Sequence, residues 1–189
     1  MIAIQKMSNA LFIAGAFEVL QVLLAETYFP IGEGGGISLG IMYAVTGVGT
    51  GLGPIMARAY AGDRERQLRY TIAAGYLTSI VGLLLAASLA NFPIVLLGAF
   101  LRGFGGGIVW VMSTQLLLQL LPLDVRGRVF STEFAMSTLG AAIGAGSVGG
   151  LLDSTFTLPV LITVMAVAVL IPLGLWTWWT FYGTREKLK

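Results

Sequence analysis

The sequence predicts an all-α membrane protein with six transmembrane helices. Of its 189 residues, 57% are hydrophobic and only 11% are charged, and the mean hydropathy is +0.88. Soluble domains contain about 25% charged residues, so this chain has too few polar side chains to cover a surface in water. A membrane-spanning helix needs about 20 apolar residues. Six such helices therefore occupy most of the chain and leave only short connections.

Six apolar stretches define the helices of a single domain over residues 1–189. The first ends at Pro30, before a glycine-rich turn, and the second ends at the charged segment 62–69. A turn at 91–93 separates the third from the fourth, the charged segment 122–128 precedes the fifth, and Asp153 begins the last connection. The predicted spans are 8–29, 38–61, 70–90, 93–120, 129–152 and 157–182.

Basic residues are concentrated at one end of the predicted bundle. All of the 11 lysines and arginines except Arg102 fall on the side of the amino terminus: Lys6, Arg58, Arg64, Arg66, Arg69, Arg126, Arg128, Arg185, Lys187 and Lys189. Cytoplasmic loops carry such an excess. We therefore expect both termini in the cytoplasm of a multi-pass protein of the plasma membrane, and no nucleic-acid partner.

The chain contains no histidine and no cysteine. This excludes the usual zinc and copper sites, cysteine and serine–histidine nucleophiles, and disulfides. The spanning segments also lack paired aspartates in facing helices. We expect neither an enzyme nor a bound metal or cofactor.

Two charges lie deep in predicted spans, where an ionisable residue by default marks a functional site. Glu18 is about 16 Å and Arg102 about 14 Å from the outer ends of their helices, at 1.5 Å per residue. An ion pair between them is therefore feasible. Gln21 lies close to Glu18 on the first helix, and Glu26 lies nearer the outer end.

On the fourth helix, Gly106 and Ser113 share the face of Arg102. Gly106 and its neighbouring glycines leave room beside the guanidinium for a substrate, a water molecule or another helix. We predict a substrate- or proton-binding site formed by these six residues of the first and fourth helices. The alternative is that Glu18 and Arg102 only hold two helices together.

Glu133 has a different position, near the cytoplasmic start of the fifth helix. The helix dipole favours an acidic side chain there. We predict a structural role for it, with Arg58, Arg126 or Arg128 as its partner.

The 26 glycines form stripes in two helices. Small residues four apart allow two helices to approach closely in lipid. The stripes either pack within the bundle or contact a second six-helix unit. The pairs are Gly47 with Gly51 and Gly49 with Gly53 in the second helix, and Gly140 with Gly144 and Gly146 with Gly150 in the fifth.

Two loops resemble those of a known family, the major facilitator superfamily of secondary transporters. Residues 120–131, with the sequence LLPLDVRGRVFS, are similar to the stretch between the tenth and eleventh helices of bacterial drug and siderophore exporters of the enterobactin-exporter type. Residues 53–66 resemble the family's glycine, acid and arginine motif, with Ala57 where aspartate is usual in the amino-terminal half. Arg102 and Gly106 match an arginine motif that the family links to proton coupling, and Gly140 to Gly150 resembles its antiporter motif weakly.

The resemblance implies the carboxy-terminal half of such a transporter, built from two inverted three-helix repeats. It places Glu18, Gln21 and Arg102 at the central cavity and the glycine stripes against the other half. It also implies gating residues in the two cytoplasmic loops, namely Arg58, Asp63, Arg64, Asp124, Arg126 and Arg128.

We therefore predict efflux of a small amphipathic molecule by proton- or cation-coupled alternating access. The partners are the lipid bilayer, the small-molecule substrate, and a second copy or a separate amino-terminal half. Two alternatives remain open, a non-transporting scaffold or regulatory subunit and an inactive truncated remnant.

Overall fold

The computed structural model describes residues 1–152 and 156–182, and these residues form six long helices with no strands. Each is long and apolar enough to cross a membrane. The predicted class, an all-α protein with six transmembrane helices, is therefore confirmed. The helices are α1 (Ile2–Tyr28), α2 (Gly36–Ala61), α3 (Glu65–Ala87), α4 (Phe92–Leu120), α5 (Arg126–Leu152) and α6, in the two parts Leu158–Ala168 and Leu170–Tyr182.

Turn and capping residues explain where several helices begin and end. Asn91 caps α4, since its side-chain oxygen accepts a hydrogen bond of 2.9 Å from the backbone N–H of Ile94. Gly62 ends α2 with a φ of +55°, a conformation that favours glycine. Pro172 has no N–H to donate to the carbonyl four residues earlier. This missing hydrogen bond accounts for the interruption of α6 at Val169.

Helices α1 and α3 begin earlier than the sequence predicts. α1 begins at Ile2 rather than Ser8, so Lys6 is part of the helix and is buried inside the bundle. α1 also contains two π-helical segments, Ala10–Gly15 and Leu24–Tyr28. α3 begins at Glu65 rather than Tyr70. Charged residues at these helix starts led the prediction to place both boundaries too late.

Helix α4 packs on α2 and α3 through glycine. At the α3 interface, a Cβ on Gly105 would meet the backbone of Ser79 at 2.7 Å, and one on Gly82 would meet the backbone of Gly98 at 2.6 Å. Such contacts are possible only without side chains, and in lipid they supply the van der Waals attraction that holds helices together.

The glycine stripes of α2 and α5 each divide into an inward and an outward set. Gly49 and Gly53 lie against the carbonyl oxygens of Phe100 and Phe104 in α4, while Gly140 and Gly144 lie against those of Met7 and Leu11 in α1. A Cβ placed on any of the remaining glycines of the stripes would have no neighbouring atom within 4 Å. The outward set is Gly47, Gly51, Gly146 and Gly150. Packing within the bundle thus accounts for one register of each stripe and leaves the other on the surface.

The start of α1 and the α2–α3 and α4–α5 connections lie at one end of the bundle, which we call the basic end. Two tryptophans of α6 attach this helix to the start of α3 at the basic end. Trp176 Nε1 donates a 2.9 Å hydrogen bond to the carbonyl of Arg69. The guanidinium of Arg69 lies 4.1 Å from the ring centroid of Trp179. Of the predicted charged flanks, Asp153, Arg185, Lys187 and Lys189 lie outside the described residues.

Candidate functional site

A cavity of about 300 Å³ lies between α1, α2 and α4. Its walls combine apolar, neutral polar and cationic groups, a composition typical of small-molecule sites. The main contributors are Asn9 and Ile13 of α1, Thr50 of α2, and Arg102, Gly106 and Trp110 of α4. Gly106 makes room for it, since a Cβ there would meet only Ile13 Cγ2 at 3.3 Å and Asn9 Oδ1 at 3.7 Å.

Arg102 is the charged residue of this cavity, and it is held by neutral groups. Its Nη1 donates a 2.8 Å hydrogen bond to the carbonyl oxygen of Ile13, and its Cζ lies 4.4 Å from the ring centroid of Phe17. Only 6% of the residue is exposed, and Nε is buried without a hydrogen-bond partner. The carbonyl of Ile13 lies in the first π-helical segment of α1, and such segments are frequent at functional sites.

The feasible ion pair between Glu18 and Arg102 does not form. Arg102 contacts Ile13, which precedes Glu18 by five positions, or about 7.5 Å along the helix. The side chain of Glu18 lies on the exposed surface of α1. The ion pairs within 4.0 Å that involve described residues do not include it.

The other predicted site residues occupy three kinds of position. Gly106 lines the cavity beside Arg102. Gln21 and Ser113 are fully buried, with Gln21 Oε1, Gln21 Nε2 and Ser113 Oγ lacking hydrogen-bond partners, but they do not line the cavity. Glu26 lies on the surface. The structure thus brings together Arg102 and Gly106, and separates them from the remaining four.

A second buried polar cluster lies nearer the basic end, and the sequence analysis missed it. Lys6 of α1 forms an ion pair with Glu133 of α5, and the side chains of both are at most 4% exposed. Lys6 Nζ also donates a 2.8 Å hydrogen bond to Thr114 Oγ1 and lies 4.0 Å from the ring centroid of Trp110. Trp110 therefore contacts Lys6 and also lines the cavity.

The predicted partners of Glu133 were wrong. Arg58 instead pairs with Asp63 at 2.9 Å, and Arg126 donates to the carbonyls of Leu118 and Leu121 at the end of α4. Lys6 reaches Glu133 because α1 begins early and packs directly on α5 through glycine. A basic residue within one turn of the predicted start of α1 was the available signal for this cluster.

The loop residues that the resemblance implies in gating are only partly connected. Besides its ion pair with Arg58, Asp63 Oδ1 accepts a 2.8 Å hydrogen bond from Gln115 Nε2, which ties the α2–α3 connection to α4. Arg126 bonds to the backbone carbonyls of Leu118 and Leu121. The remaining three, Arg64, Asp124 and Arg128, are exposed, and within the described ranges they form no ion pair.

The groups in the cavity wall are suited to binding a small molecule. Its described lining residues offer a guanidinium, an amide, a hydroxyl, an indole and apolar surface, and no nucleophile beside a general base. A buried cation next to space large enough for a ligand is a typical feature of transport pathways in membrane proteins.

Comparison with known proteins assigns the family. The chain has no match among curated proteins or among solved structures. The sequence profile described as the Major Facilitator Superfamily matches residues 8–188, which is almost the entire chain. The six membrane-spanning helices fit one half of that fold. The chain belongs to the major facilitator superfamily.

Proposed function

We propose that this transporter chain acts as the carboxy-terminal half of an exporter for a small amphipathic molecule. The movement is alternating access, driven by exchange for protons or another cation. The main support for this proposal is the cavity between α1, α2 and α4, with Arg102 buried in its wall. In secondary transporters, substrate and coupling-ion sites lie near the bilayer midplane between repeated units.

In this proposal Arg102 binds substrate and Glu18 takes up the coupling proton. The position of Arg102, between the ends of α4, corresponds to the middle of the membrane. Glu18 lies five positions after Ile13, the residue that Arg102 contacts, and is exposed at the surface of α1. The sequence resemblance of residues 120–131 to bacterial exporters supports efflux as the direction. The positive-inside rule supports cytoplasmic termini, and the resemblance to bacterial exporters supports the bacterial inner membrane as the location.

A second six-helix unit is the proposed partner. α2 and α5 are the least buried spans, with 17% and 22% of their most apolar segments inside the bundle, against 50% for α1 and α4. Both carry outward glycines with open space beside them, which suit close helix contact in lipid. The partner is either a second copy of this chain or a separately encoded amino-terminal half.

Dye accumulation in cells that produce the chain tests the transport roles. We expect Arg102→Ala and Glu18→Gln to raise the accumulation of an exported dye, because each removes a proposed binding group. Loss of one charge-assisted hydrogen bond should weaken binding of the substrate by about tenfold or more. Leu77→Ala, on the exposed surface of α3, is the matched control and retains export. Unchanged export by both charge variants would exclude these roles.

Cysteine cross-linking tests the partner surface. We expect cross-linked dimers from Gly47→Cys or Gly146→Cys in membranes, because both positions have open space for a side chain. Leu77→Cys and Val164→Cys, exposed on α3 and α6, are the controls and stay monomeric. Equal cross-linking at all four positions would indicate random collision, and none at Gly47 and Gly146 would exclude a homodimer through these helices.

A non-transporting scaffold or regulatory subunit is the alternative that the outward glycines also support. It predicts that filling Gly47 or Gly146 abolishes function while replacement of both Glu18 and Arg102 by leucine has no effect. The transporter proposal predicts loss of function in the leucine double variant.

A further inference from the structure

The positive charge of Arg102 is not balanced by its contacts. The two groups that hold it, the carbonyl of Ile13 and the ring of Phe17, carry no net charge. One guanidinium nitrogen, Nε, is buried without an acceptor, and Nη2 makes no hydrogen bond to any part of the protein that the structure describes. A buried cation without a paired anion is strongly unfavourable. A ligand that supplies the anion would remove this cost.

The neighbouring carboxylates do not supply that anion. None of the described side chains that line the cavity is acidic. Glu18 is exposed at the surface of α1 and forms no ion pair with Arg102. The buried acid nearest the basic end, Glu133, is already paired with Lys6. The cavity therefore has an excess of positive charge.

The remaining walls favour a flat, apolar body. The indole of Trp110 and the side chains of Ile13 and Val111 provide apolar surface, and Gly106 leaves the backbone of α4 open to close approach. Asn9 Oδ1 is buried without a donor, so it is ready to accept a hydrogen bond from a ligand hydroxyl or amine. A volume of about 300 Å³ lies at the lower end of the range for ligand cavities.

We propose that the substrate is an aromatic organic anion, with its carboxylate or sulfonate on Arg102 and its ring system beside Trp110. This assignment rests on the proposed transport function, whose substrate it specifies. A bidentate contact with the guanidinium is the geometry that carboxylates and sulfonates favour.

Binding of matched probes to the purified full-length chain in lipid nanodiscs tests this. The probes are naphthalene-2-sulfonate, the neutral naphthalene-2-sulfonamide of nearly the same shape, and (2-naphthyl)trimethylammonium, each measured by equilibrium dialysis. We expect the sulfonate to bind about tenfold or more tightly than the sulfonamide, and the cation to bind least. Arg102→Gln removes the preference for the sulfonate.

Two further variants keep the test decisive if Arg102→Gln fails to fold. Gly106→Leu fills the cavity and abolishes sulfonate binding without changing any charge. Arg69→Gln, at a buried arginine that pairs with Glu65 outside the cavity, leaves sulfonate binding unchanged. Equal binding of sulfonate and sulfonamide, preference for the cation, or no binding of any probe by the folded chain would overturn the proposal.

The outcomes separate this inference from the transport proposal. Arg102-dependent binding of the sulfonate without any dye export would leave the anion site standing and refute transport. Export of a cationic dye by a chain that does not bind the sulfonate would support transport and refute the anion site.

Discussion

Lys6 and Arg102 show two ways in which a charged side chain is accommodated inside this bundle. Lys6 has an acidic partner, a hydroxyl and an aromatic ring, and so nearly every part of its ammonium group is satisfied. Arg102 has one carbonyl and one ring. Removal of one partner from a buried ion pair leaves an uncompensated charge. The charge of Lys6 is therefore neutralised inside the bundle, whereas the charge of Arg102 is not balanced by the groups that contact it.

The Lys6–Glu133 pair gives a prediction for stability. Lys6→Met and Glu133→Gln should each lower the free energy of unfolding by about 3–5 kcal/mol, because each leaves the other charge buried and alone. The double variant Lys6→Met with Glu133→Met should recover most of that loss, since no charge remains. Denaturation of the detergent-solubilised chain measures all three.

Glu33→Gln, at an exposed acid in the α1–α2 connection, is the control for these measurements and should change nothing. Additive losses in the double variant would mean that Lys6 and Glu133 do not interact. They would then refute the pairing on which the α1–α5 contact depends.

At the scale of the element, the spacing of glycine along a helix decides which of its faces can approach a neighbour. Gly51 and Gly53 in α2 are two positions apart, and so they point to opposite sides of the helix. A Cβ on Gly53 would meet the backbone of Phe104 at 3.0 Å and Ile108 Cγ1 at 3.2 Å, whereas one on Gly51 would meet nothing. One helix therefore presents a tightly packed face and an unoccupied one.

This difference predicts the effects of a matched pair of substitutions. Gly53→Ala should lower the free energy of unfolding by about 1–3 kcal/mol, because α4 must move to admit the methyl group. Gly51→Ala should be neutral or should stabilise the helix by up to about 1 kcal/mol, since alanine favours the helical conformation over glycine. Thermal unfolding in detergent compares them, and equal losses would contradict the assigned faces.

At the scale of the whole molecule, the distribution of basic residues predicts the orientation in the membrane. The basic end carries Arg58, Arg66, Arg69, Arg126 and Arg128, and the described connections at the other end carry no lysine or arginine. The positive-inside rule places the basic end in the cytoplasm.

Reporter fusions test this orientation. Alkaline phosphatase, which is active only outside the cytoplasm, should be inactive when fused after Lys189 and active when inserted at Gly34 between α1 and α2. A fluorescent protein fused after Lys189 should fluoresce. The opposite pattern of activities would invert the orientation and place the α2–α3 and α4–α5 connections outside.

The sequence by itself determined the class, the number of helices and the approximate position of each. These follow from local properties, because a span of about 20 apolar residues and the prolines, glycines and charges that end it are contiguous in the chain. The same reasoning also selected Arg102 and Gly106, since an intramembrane charge beside glycines is visible in one helix alone. The predicted starts of α1 and α3 were too late, because charged residues continue into both helices.

Only the tertiary structure decided which residues meet across helices. Glu18 and Arg102 have matching depths, but the rotation of α1 about its axis brings Ile13 to the guanidinium and turns Glu18 to the surface. The same rotation puts Lys6 against Glu133, and glycine contacts with α5 set how closely the two helices lie. Helix rotation and helix separation depend on the fit of two surfaces distant in sequence. Depth can be counted along one helix, whereas contact requires the packing of both.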